Sequence, residues 1–125
     1  MEILGLISSI VLFAVISSKL DYEIIENGEK VDHIKSWIFR AVFGLSLYLT
    51  FTSSICIPVI VLISFLFSAV FRYYLNYLRS KKFDYISTSN FYDSIFIRIF
   101  GQSGGKAAYV FELSLSIISI LLILF

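Results

Sequence analysis

Charge is scarce along this chain: ten basic and nine acidic side chains among 125 residues, for a net charge of +1. No basic excess is available to hold a phosphate backbone, so nucleic acid is not expected as a partner. The single cysteine, Cys56, excludes an intrachain disulfide framework and a cysteine-built zinc site, and no metal is expected. Histidine also occurs once, at His33, and a catalytic triad cannot be assembled around it. The sequence therefore predicts no enzyme and no cofactor. Residues 101–106 superficially suggest a phosphate-binding loop, but Gly101 and Gly105 are four apart rather than five, and Ala107 stands where a magnesium-holding hydroxyl belongs. Gly101, Gly104 and Gly105 are read instead as a hinge.

What the chain has in abundance is apolar length. Hydrophobic residues make up 58% of it, more than so small a soluble domain can hide. Residues 41–71 hold no charge, and residues 107–125 hold only Glu112. Runs of that length are sized for a bilayer. Residues 1–18 lack the basic leader of a secretory signal and carry Glu2 there, so they are read as a retained span.

The predicted architecture is an all-α polytopic bundle forming a single membrane domain, with spans at about residues 3–20, 37–52, 57–78 and 106–125. Asn27-Gly28 suits the stop of a first helix that runs on past its span, with a short β-hairpin at the same pair as the competing expectation. Residues 37–77 are too long for one span, since as one helix they would measure roughly 60 Å. Ser53 to Pro58 offers a turn, with Pro58 in the first turn of the next helix. One long helix kinked at Pro58, giving three spans, is the alternative. The charges separate the two. Lys19, Lys30, Lys35 and Arg40 flank the first loop, at about residues 21–36. Arg72, Arg79, Lys81, Lys82, Arg98 and Lys106 flank the loop at about residues 79–105. With four spans all ten basic residues share one face, which the positive-inside rule makes cytoplasmic, and both termini lie outside. Three spans would divide them four against six.

Asn90 with Asp93 three residues on predicts a helix start. Tyr92, Ile95, Phe96, Ile99 and Phe100 then form an apolar stripe, with Asp93, Ser94 and Arg98 turned away. The expectation is a short amphipathic helix at the membrane interface. Trp37, Tyr73, Tyr74, Tyr77, Tyr85 and Tyr92 flank the cytoplasmic ends as an interfacial belt. Small residues at Ala41, Gly44, Ser46, Ser114, Ser116 and Ser119 permit close helix contact.

Glu112 is the residue that asks for an explanation, because an acid inside a span is costly without a partner. Arg40 enters from the same side to a similar depth, so a buried Arg40–Glu112 ion pair is expected, with Ser114 or Ser46 adding hydrogen bonds. His33, beside Asp32, is a candidate pH-sensitive or interface residue.

Few polar groups lie within the spans, which favours a non-catalytic accessory subunit or anchor over a transporter. Its expected partners are the lipid bilayer and other subunits, or further copies of itself. The second expectation is a pore former or small transporter. The holin type of phage lysis protein resembles this chain in size and span number, although the sequence ends on Leu-Leu-Ile-Leu-Phe rather than on a charged tail. The bias toward Ile, Phe, Lys, Ser and Tyr fits an AT-rich genome, and with it a bacterial inner membrane or a phage-encoded protein.

Overall fold

Each helix boundary has a local chemical cause. The computed structural model describes residues 3–52, 56–86 and 91–125, and every regular element among them is helical. The first helix, α1 (Ile3–Glu26), ends where Gly28 adopts φ +77°. There the Gly28 amide donates to the Ile25 carbonyl at 3.0 Å and the Glu29 amide to the Ile24 carbonyl at 3.1 Å. That pair of bonds is the Schellman stop, and it removes the hairpin alternative.

Helix α2 (His33–Phe51) begins four residues before Trp37 because the Asp32 carboxylate accepts bonds from the Ile34 and Lys35 amides, at 3.0 and 3.2 Å. Helix α3 (Ile57–Leu78) carries Pro58 in its first turn, where no backbone donor is needed. The expected turn at Ser53 to Pro58 falls largely outside the described residues, as do Ser87 to Asn90 and Glu2. After α3 the chain leaves through Ser80, a non-glycine at φ 56°, with the Lys81 amide bonded back to the Asn76 carbonyl at 2.9 Å.

Helix α4 (Phe91–Phe100) and helix α5 (Gly104–Leu124) are joined by a 3₁₀ turn at Gly101–Ser103. Gly101 has φ +61°, and a Cβ on Gly104 would lie 3.0 Å from the Phe96 carbonyl. In a continuous helix those two residues would be separated by roughly 12 Å along the axis. So α4 folds back against the start of α5. Its inward residues are Tyr92, Asp93 and Phe96, while Ile95, Ile99 and Phe100 of the expected stripe are exposed. Asp93 thus faces the bundle, not away from it, for an electrostatic reason given below.

The register of contacts fixes the helix directions. Leu6, Ile10, Phe13 and Ala14 of α1 form one core with Val59, Leu62 and Phe67 of α3, and the Ser18 hydroxyl reaches the Phe71 carbonyl at 3.1 Å. Residue numbers rise together, so α1 and α3 run in the same direction. Helix α5 runs against them: Glu112 meets Arg72 of α3, while Ile120 and Ile123 pack on the core. Helix α2 also runs against them, with Arg40 beside Asp21 and the Cys56 amide donating to the Tyr48 hydroxyl at 2.8 Å.

Three helical stretches are long and apolar enough to cross a membrane: Ile3–Glu26, Ile57–Leu78 and Phe91–Leu124. In α2 the apolar sequence is interrupted by Lys35 and Arg40. Polarity is distributed opposite to a water-soluble bundle. Leu12, Val42, Leu49, Ile117 and Leu122 point outward, whereas Ser17, Ser18, Arg72, Asn76, Glu112 and Ser116 are buried. Three long apolar helices with that distribution are compatible with a membrane location.

Candidate functional site

One side of α5 carries Gly104, Gly105, Ala108, Glu112, Ser116 and Ser119, all buried at helical spacing. These small residues let α3 approach closely, and Glu112 is the only charge among them. Its side chain is fully enclosed. The partner is Arg72 of α3, whose Nη1 donates to the Glu112 Oε1. Arg72 Nη2 donates to the Asp93 Oδ1 of α4 at 3.0 Å. One guanidinium therefore ties three helices together, and this bond is what turns Asp93 inward. The second Glu112 oxygen, Oε2, is buried without a hydrogen-bond partner among the described residues. The Tyr109 ring lies 5.4 Å from the Arg72 guanidinium carbon, adding a cation–π contact.

The expected Arg40–Glu112 pair is thus replaced by two others. Arg40 lies 3.4 Å from Asp21 of α1 and stacks over Phe71 at 4.3 Å. Depth alone does not choose between Arg40 and Arg72. Rotational phase does: α2 borders α1 and α3, and only Arg72 shares the buried α3 stripe of Val59, Leu62, Ala69 and Asn76. Ser46 and Ser114 take no part. Ser46 bonds the Val42 carbonyl of its own helix, Ser114 is exposed, and it is Ser116 that donates to the Glu112 backbone carbonyl, at 2.8 Å.

No family model, curated protein or solved structure matches the chain. Its site is therefore read from geometry alone.

Above the ion pairs, Asn76 pins the chain that follows α3. Its side-chain amide donates to the Phe83 carbonyl at 3.0 Å and the Tyr85 carbonyl at 2.9 Å, and the Tyr109 hydroxyl donates to the Phe83 carbonyl at 2.6 Å. This pinned segment lies hard against α5. A Cβ on Gly105 would fall 1.7 Å from the Asp84 carbonyl oxygen. Gly104 and Gly105 are thus close-packing sites inside α5, and of the expected hinge only Gly101 has the bent backbone.

The remaining expected residues separate by position. Trp37, Tyr73 and Tyr77 are exposed at one end of the bundle, and Tyr74 stacks on Tyr77 with ring centroids 6.1 Å apart. Tyr92 departs from that group, because its ring turns inward onto Phe96 at 5.3 Å. His33 is exposed in the first turn of α2. No group of three or more His, Cys, Asp or Glu side chains suited to a metal occurs among the described residues.

Between α2 and α3 lies a cleft of about 880 Å³, near the upper end of the range for small-molecule pockets. Arg40, Arg72, Arg79 and Asp93 line it together with largely apolar side chains. Sequence reasoning missed Arg72, Asp93, Asn76 and Asp21. The available signal was the spacing Ala69, Arg72, Asn76, which puts a small residue and two polar ones on a single helix face.

Proposed function

We propose that this protein is a non-catalytic accessory subunit or anchor of a membrane assembly, crossing the bilayer four times with both termini on the non-cytoplasmic side. The observation that carries the reading is the closure of the intramembrane charges on one another. Arg72 serves Glu112 and Asp93, and Arg40 serves Asp21. Charges used in this way fasten helices together, whereas a conducting path or an active site presents them to water or substrate. The outward apolar faces of α1, α2 and α5 supply surface for lipid and for neighbouring helices. The antiparallel placement of α2 beside α1 and α3 supports its reading as a fourth span, with Arg40 held by Asp21 at the basic end. A bacterial inner membrane or a phage-encoded protein remains the setting that the composition suggests.

The test is purification in mild detergent from its own host, with identification of what accompanies it. A stoichiometric partner polypeptide is expected. A homogeneous homo-oligomer that releases dye from vesicles would replace this reading with a pore.

A further inference from the structure

The α2–α3 cleft is graded along its length. At the end shared by the start of α2 and the close of α3 it is bordered by Trp37 and Arg79; further along it is walled by Phe13, Leu45 and Ile63. Of the other charges lining it, Arg40 is paired with Asp21 and Arg72 with Asp93, but Arg79 has no carboxylate within ion-pair distance among the described residues. Its guanidinium rests beside the Tyr85 ring, 5.8 Å from the centroid. The space exists because small residues line the two helices: Ala41 and Gly44 on α2, Ser64 and Ser68 on α3. The two serine hydroxyls donate within α3, to the Ile60 carbonyl at 2.9 Å and the Ser64 carbonyl at 3.0 Å. Their donors are therefore engaged within the helix, and their small side chains make room.

We infer that this cleft holds one membrane phospholipid, its phosphate at Arg79 and an acyl chain along the Phe13, Leu45 and Ile63 wall. A cation at one end and an apolar channel below it are complementary to an amphiphile lying parallel to the helices. A partner helix would meet the same small residues but would leave Arg79 unpaired unless it carried an acid at that depth. The inference rests on the membrane reading above.

The test titrates the delipidated full chain, in dodecyl maltoside micelles, with dimyristoyl phosphatidylglycerol and counts retained lipid by native mass spectrometry. One adduct per chain that survives activation is expected. Arg79→Gln weakens it about tenfold, while Arg79→Lys, which keeps the charge, largely retains it. Ser64→Phe with Ser68→Phe fills the cleft and abolishes the adduct, with helical circular dichroism and elution volume confirming that the bundle is intact. If that double variant unfolds, Arg79→Gln against Arg79→Lys decides alone. A statistical ladder of lipids, unchanged in Arg79→Gln, would overturn the inference. So would an adduct that persists in a folded, cleft-filled variant. Either result leaves resistance to alkaline extraction and recovery of a partner subunit untouched, so failure here is distinct from failure of the proposed function.

Discussion

At Arg72 a single side chain answers for two acids, and the consequences are asymmetric. Replacing Arg72 by Met leaves Glu112 enclosed with an unpaired charge, a change that costs about 3–5 kcal/mol in comparable buried pairs. Replacing Arg72 and Glu112 together by Met and Leu removes both charges of that pair and should recover part of the loss, Asp93 being left without its guanidinium. The check is a thermal-unfolding double-mutant cycle in detergent, and additive losses would show that the pair is not coupled. Arg40→Met should leave the Glu112 environment unchanged, since Arg40 belongs to Asp21. The glycines separate in the same way. Gly105→Ala drives a methyl into the Asp84 carbonyl and should destabilise by at least about 2 kcal/mol, because the obstacle is backbone. Gly101→Ala meets open space and carries only the conformational cost of positive φ, about 1–2 kcal/mol. Equal losses at the two positions would contradict the packing described for Gly105.

Among the elements, residues 81–86 after α3 are held by Asn76 together with Tyr109. Asn76 satisfies the Phe83 and Tyr85 carbonyls, and Asn76→Ala leaves both without that donor. Residues Lys81 and Lys82 are exposed just before them. The variant should be cleaved there by trypsin roughly tenfold faster than the parent, the equivalent of losing about 1.4 kcal/mol of local stability. Unchanged cleavage would mean that contacts with α5 alone hold the segment. Helix ends were readable from the chain, because Asn27-Gly28, Pro58 and Gly101 act through local backbone chemistry. Contacts set by rotational phase were not. The residues around Arg40 and Arg72 look alike in one dimension, and only the assembled α3–α5 face decides which guanidinium Glu112 meets. The orientation of α4 was misread for the same reason: an apolar stripe predicts which side avoids water, but in an apolar setting the charged Asp93 is the residue that must find a partner.

Across the whole molecule, the proposed four-span topology makes a prediction that helix direction sharpens. Helices α1 and α3 run together and α2 and α5 run against them, so Ile3, Cys56 and Leu124 lie at one end, while Lys30, Lys81 and Lys106 lie at the other. The proposed topology puts the end rich in lysine and arginine on the cytoplasmic side. The native cysteine is therefore a built-in reporter. In intact cells, a membrane-impermeant maleimide added from outside should modify Cys56, which is partly exposed and lies beside the Tyr48 hydroxyl. A phosphatase fused after Phe125 should be active, as that enzyme requires an oxidising, non-cytoplasmic compartment. Cys56 and the C-terminus share a face when α3 and α5 both cross; α2 is reported by Lys30→Cys in a Cys56→Ser background, which should react only after the membrane is opened. Labelling of both the Lys30→Cys variant and Cys56 from outside would mean that α2 does not span. The basic residues would then be split between the two faces, and the charge argument for orientation would fall with it.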